Sequence, residues 1–176
     1  MSIDYDSIFT EAVEAVRAEG RYRVFADILR ARGEFPRARL RIGDGQYRDI
    51  VVWCSNDYLG QGQSEEVIDA AHTAIDLVGA GAGGTRNISG TTSYHVDLEK
   101  ELAQLHGKEA ALLFTSGYVS NDATLSTLVK LFPDLWIFSD AKNHASMIEG
   151  IKRHSCEVRV FRHNDLQHLE ALLNEA

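Results

Sequence analysis

Two short stretches combine residue types suited to cradling a phosphate and to presenting an imidazole beside it. Thr115-Ser116-Gly117-Tyr118 follows the apolar run Ala110-Ala-Leu-Leu-Phe114 and opens a segment of helical periodicity. A turn from a buried strand into a helix leaves unpaired backbone N–H groups at the positive end of the helix dipole, which attracts phosphate. An ordinary serine N-cap explains the same four residues when they are taken alone. Asn143-His144-Ala-Ser146 follows the next apolar run and puts an imidazole at a neighbouring strand end. Ligands of open parallel sheets bind at the carboxyl ends of strands, so the two stretches together predict a small-molecule site. The other histidines (His72, His95, His106, His154, His163 and His168) lack metal-ligand spacing, and no metal is expected.

The loop Gly79-Ala-Gly-Ala-Gly-Gly84 satisfies G-x-G-x-x-G to the letter. That fingerprint needs a strand before it and a helix directly after it. Here a helical pattern precedes it, and Thr85-Arg-Asn-Ile-Ser-Gly90 intervenes before the next one, so a nicotinamide enzyme is a poor second choice. Backbone free of side chains instead lets a ligand or another subunit approach closely. Nine of the thirteen arginines lie between Arg17 and Arg48. They read either as a salt-bridged surface or as clamps for an anionic substrate, and composition does not choose between these.

Alternating elements must position these residues. The spacing predicts a helix from Tyr5 to about Ala18, a strand over 46–53, and a helix capped by Ser64 and carrying Val67, Ile68, Ala71, Ala74, Ile75 and Val78 on one face. A further helix with Leu98, Leu102 and Leu105 stops near Gly107. Then come strands at Ala110–Phe114, Leu135–Phe138 and Glu157–Phe161, with helices to about Leu131, over Ala145–Arg153 and around Leu166–Leu173. Short apolar strands alternating with helices predict an α/β fold with a mainly parallel sheet covered on both faces. Pro36 and Pro133 fall in connections. Two segments are expected, an N-terminal helix-and-strand region over 1–60 and the first part of a larger domain over 61–176. A sheet of three short strands leaves edges uncovered, which suggests an incomplete domain.

Composition excludes several classes. With 44% hydrophobic and 25% charged residues over 176 positions, the chain is neither disordered nor fibrous. No run has the length and apolarity of a membrane helix, and the N-terminus lacks a secretory pattern, so a cytoplasmic protein with no membrane partner is expected. Cys54 and Cys156 form no CxxC pair, which suits a reducing compartment. A net charge of −8 argues against nucleic acid as a partner.

At these same residues the chain resembles a known family. Arg21-Tyr-Arg23, Trp53-Cys-Ser-Asn-Asp-Tyr-Leu-Gly60, Gly83-Gly-Thr-Arg-Asn-Ile-Ser-Gly-Thr-Thr92, Phe114-Thr-Ser-Gly-Tyr118 and Asn143-His-Ala-Ser-Met-Ile-Glu-Gly-Ile-Lys152 are similar to motifs of the α-oxoamine synthases. These are fold-type I pyridoxal-phosphate enzymes, and the Gly83–Thr92 string is most similar to their aminolevulinate-forming members. The resemblance runs from about Arg21 to Asp165. It implies an acyltransferase that condenses glycine with succinyl-CoA, using pyridoxal 5′-phosphate, with pockets formed between the subunits of a homodimer. It also implies that Ser116, Gly117 and Tyr118 hold the cofactor and that His144 stacks on its ring as the catalytic histidine. Arg23 and Thr85 would take the succinyl carboxylate, Asn56, Asn87 and Ile88 would line the acyl and glycine pocket, and Ser139 would lie near the CoA chain. Val158 stands where such enzymes often carry lysine, with Arg159 beside it. Lys100, Lys108, Lys130, Lys142 and Lys152 occupy none of the family's Schiff-base lysine motif, which lies later in the pattern. The resemblance therefore implies an N-terminal portion of a longer enzyme, inactive by itself. The alternatives are a synthase using another acyl-CoA and a non-catalytic module that keeps the fold.

Overall fold

The computed structural model describes residues 3–132 and 134–176, so the connection expected at Pro133 and the first two residues lie outside the described residues. The described chain falls into two compact units, Met1–Gly81 and Ala82–Ala176.

In the first unit, helix α1 (Tyr5–Ala18) begins at Asp4, whose carboxylate accepts the Ser7 N–H. Three antiparallel strands follow: β1 (Ile28–Leu29), β2 (Arg37–Gly43) and β3 (Gln46–Val51), in the order β1-β2-β3. The strand expected over 46–53 is the last of these, while β1 and β2 escaped the sequence reading. Their signal was present, because Ala38, Leu40 and Ile42 alternate with Arg37, Arg39 and Arg41 at the period of a half-buried strand. Asp44-Gly45 then turns the hairpin, with Gly45 at φ +72°, a conformation that favours glycine. Helix α2 (Glu65–Val78) closes the unit. Ser64 occupies its N-cap position, but its side chain makes no capping bond.

In the second unit, a π-helical turn (Arg86–Gly90) leads into α3 (Ser93–Leu105). Helix α4 (Gly117–Leu131), β4 (Trp136–Asp140), α5 (Ala145–Lys152), β5 (Glu157–Phe161) and α6 (Leu166–Asn174) then alternate. Strands β4 and β5 pair in parallel, from Trp136 opposite Glu157 to Asp140 opposite Phe161, with α5 as the crossover. The strand expected at Ala110–Phe114 does not form a ladder. A strand exists through its partner, and here the Leu113 N–H donates instead to the Glu99 carboxylate at 2.8 Å. The sheet of this unit is therefore two-stranded among the described residues.

Helices α4 and α5 pack closely, and both carry buried residues, Val129 on α4 and Ile151 with the fully enclosed Ser146 on α5. Gly150 permits the approach, since a Cβ there would meet the Asp122 carbonyl oxygen at 2.8 Å and the Leu125 Cβ at 3.1 Å. Large apolar side chains elsewhere face outward, Phe25 at 98% and Trp53 at 93% exposure. Among the described residues no helix is long and apolar enough to cross a membrane.

Candidate functional site

Ser116 caps α4 by accepting the Val119 N–H on its Oγ at 3.2 Å. This leaves the Gly117 and Tyr118 N–H groups at the first helical positions, where no intrahelical acceptor exists for them. A Cβ at Gly117 would meet nothing within 4 Å, so the space over this helix end is open to a ligand. These features match the chemistry of a phosphate group.

His144 occupies the corresponding place on α5. It is the N-cap residue, and its Nδ1 accepts the Ser146 N–H at 3.2 Å. The Tyr118 ring meets the His144 ring edge to face, with centroids 6.0 Å apart and planes at 74°. The phosphate-type turn and the imidazole, predicted separately from two strand ends, thus stand side by side.

The supports of this pair were not read from the sequence. Asp122 on α4 takes a bidentate bond from Arg153 just beyond α5, at 2.8 and 2.7 Å, which ties the two helices together. Asn121 donates to the Ser146 Oγ at 3.1 Å. Asp140, at the end of β4, accepts from the backbone N–H groups of Lys142 and Asn164 and pairs with the His163 ring. Those backbone N–H groups, with His163 after them, hold its carboxyl down to about 2. Ser139 is buried, and its Oγ accepts from the Asn143 side chain at 2.9 Å, so it steadies the residue just before His144.

Glu99 is the second support. It takes both Arg86 nitrogens, at 2.5 and 3.0 Å, together with the Leu113 N–H. The Arg86 guanidinium, then the Leu113 N–H, hold its carboxyl down to about 2. One carboxylate thereby joins the π-helical turn to the segment that runs into Ser116. Thr85 precedes that turn, and its carbonyl accepts from Ile88, Ser89 and Gly90. Asn87 and Ile88 stand exposed on the turn. Gly84 and Gly90 close it so tightly that a Cβ on Gly90 would lie 2.8 Å from the Thr85 carbonyl carbon and inside the Gly84 carbonyl. Close approach at Gly84 and Gly90 is therefore between backbones of the turn itself, whereas a Cβ at Gly79, Gly81 or Gly83 would meet nothing within 4 Å. Thr85, Arg86, Gly90, His95, Leu113, Phe114 and Thr115 line an open cleft of about 750 Å³.

Arg23 and Asn56 belong to the first unit and are exposed there. Asn56 lines a cleft of about 500 Å³ with Phe35, Trp53 and Tyr58. Several arginines around Arg23 are engaged, Arg17 with Glu14, Arg21 with Glu19 and Arg41 with Asp27, and Arg39 lies over Tyr47. Arg23 makes no ion pair or cation–π contact among the described residues. Arg159 pairs with Glu157 at 2.9 Å and lies over Trp136. Cys54 and Cys156 are free thiols. No cluster of three or more histidine, cysteine or acidic residues suited to a metal occurs among the described residues.

Residues 48–176 match the family described as Aminotransferase class I and II. The chain belongs to that family. Within this aminotransferase class it is 58% identical, over 171 residues, to the 5-aminolevulinate synthase of Rhodobacter capsulatus, covering 97% of this chain and 42% of that protein. It is 50% identical over 176 residues to the erythroid-specific mitochondrial 5-aminolevulinate synthase of Opsanus tau, covering 99% and 30%. Among solved structures it superposes on a serine palmitoyltransferase of S. paucimobilis with bound PLP–myriocin aldimine, at TM-score 0.75 and 26% identity over 98% of this chain and 42% of that one. The serine palmitoyltransferase of Sphingomonas wittichii matches equally, at TM-score 0.75 and 29% identity over 98% and 41%. The fold is that of part of a fold-type I enzyme, and the chain spans about two fifths (42%) of the length of the curated bacterial relatives it matches.

Proposed function

We propose that this chain is a portion of a pyridoxal-phosphate-dependent 5-aminolevulinate synthase, which joins glycine to succinyl-CoA and releases 5-aminolevulinate, CoA and carbon dioxide. The 58% identity to a synthase of that name, running over nearly all of this chain, is the observation that carries the reading. The described geometry supports it: an open helix N-terminus beside an imidazole suits a phosphorylated aromatic cofactor.

The roles divide as follows. Gly117 and Tyr118 donate backbone N–H groups to the cofactor phosphate, and Ser116 fixes the turn by capping α4. His144 would stack on the pyridoxal ring, and Tyr118 meets the His144 ring edge to face. When bound, pyridoxal phosphate supplies the electron sink for the negative charge that develops on the glycine α-carbon. Arg23 and Thr85 receive the succinyl carboxylate, because a buried carboxylate needs charge-assisted partners. Asn56, Asn87 and Ile88 shape the acyl and glycine pocket, and Ser139 lies near the CoA chain. The larger domain begins at about residue 61, and the enzyme works as a cytoplasmic homodimer.

The test lies in acyl selectivity. In the gene product that carries this chain, Arg23→Leu is expected to lower kcat/KM for succinyl-CoA about tenfold or more beyond any loss with butyryl-CoA, as loss of a charge-assisted bond requires. Equal losses with both substrates would remove Arg23 from the carboxylate role and favour a synthase of another acyl specificity.

A further inference from the structure

We infer that Ser146, backed by Asn121, is a positioning residue that fixes the tautomer of His144, holding Nδ1 as the acceptor and leaving the ring proton on Nε2. The Ser146 Oγ lies 2.7 Å from Nδ1, and the Ser146 backbone N–H points at the same nitrogen from 3.2 Å. An Nδ1–H tautomer would set its proton against that backbone N–H, so Nδ1 accepts. Asn121 Nδ2 donates to the Ser146 Oγ at 3.1 Å, which fills the hydroxyl's acceptor side and turns its own proton toward Nδ1. Ser146 is wholly enclosed, so water offers the hydroxyl no competing partner. The result is a chain of donors, Asn121 to Ser146 to His144, rooted between α4 and α5.

Capping of α5 alone needs only the backbone N–H of Ser146. The hydroxyl and the Asn121 amide are additional, and they act on the ring that faces the candidate phosphate turn. With Nδ1 engaged, the free nitrogen of His144 is a single N–H donor turned away from α5. This assignment deepens the proposed function, and its relevance to a ligand rests on the reading that His144 lies against the pyridoxal ring.

The test uses ¹⁵N-histidine NMR on the gene product that carries this chain, at a pH where imidazoles are neutral. The His144 signals are identified by their loss in His144→Asn. The expected wild-type spectrum shows His144 protonated at Nε2 and bare at Nδ1. Ser146→Ala should shift the tautomer ratio about fivefold toward Nδ1–H, the value of one ordinary hydrogen bond. Asn121→Ala should shift it in the same direction by less. A wild-type Nδ1–H tautomer, or an unchanged ratio in Ser146→Ala with the other histidine signals in place, would overturn the assignment. Adding pyridoxal 5′-phosphate separates the two readings. Displaced His144 signals support the proposed contact, whereas an unmoved His144 with the tautomer as assigned would sink that contact and leave the positioning role standing.

Discussion

Glu99 accepts three N–H groups from two segments that are far apart in sequence, and its ionised state is what those donors recognise. The folded chain keeps the carboxylate ionised down to about 2, while its ordinary value is 4.5. Unfolded chains therefore take up this proton first as pH falls. The stability that Glu99 contributes is complete above about pH 5 and is lost between there and pH 2. Asp140 acts in the same direction, from 3.8 to about 2. The urea midpoint of this chain should thus fall steeply below about pH 5, and Glu99→Gln should flatten that slope without abolishing it. Equal slopes in the parent and the variant would show that Glu99 is not held by these donors. Part of this was legible beforehand. His95, Glu99 and Leu102 share one helix face with the buried Ala103, so a carboxylate on an inward face was the available signal. Its partners were not legible, since Arg86 and Leu113 reach it only through the turn and the extended segment of the folded unit.

At the scale of elements, periodicity located the six helices of the described residues, because apolar residues recur at helical spacing along each of them. It failed where an element depends on a partner. Ala110–Phe114 has the composition of a buried strand, yet pairing is a long-range property and Leu113 spends its N–H on Glu99. The alternation in Arg37–Ile42 and the Asp-Gly turn after it were readable and went unread, masked by the concentration of arginine. The histidine and serine turns were found because each lies at a helix start. What holds them, the contact between α4 and α5, depends on one glycine. Gly150→Ala would force the two helices apart and is expected to cost about 1–3 kcal/mol in urea unfolding. It should also weaken the edge-to-face contact of Tyr118 with His144, seen as a change in tyrosine fluorescence. Ser116→Ala, by removing the cap of α4, should cost about 1 kcal/mol and leave α5 undisturbed. A Gly150→Ala chain as stable as its parent would mean that the crossing is looser than the structure has it.

For the molecule as a whole, each unit carries its own share of the residues proposed for function. The first holds Arg23 and Asn56, and the second holds Thr85, Asn87, Ile88, Ser116 to Tyr118, Ser139 and His144. The second offers the phosphate-type turn, the imidazole and the tight glycine turn on a frame of charge-assisted bonds. The first offers an exposed arginine without an ion pair among the described residues. The family rests on the match over residues 48–176 and the fold on the superposition at TM-score 0.75, whereas the substrate pair is the central proposal. The most direct measurement is product analysis of the gene product that carries this chain, supplied with pyridoxal 5′-phosphate and glycine and with either succinyl-CoA or butyryl-CoA. The account predicts 5-aminolevulinate and carbon dioxide from succinyl-CoA, at a kcat/KM well above that for butyryl-CoA. No condensation with either thioester, or turnover of butyryl-CoA with none of succinyl-CoA, would contradict it.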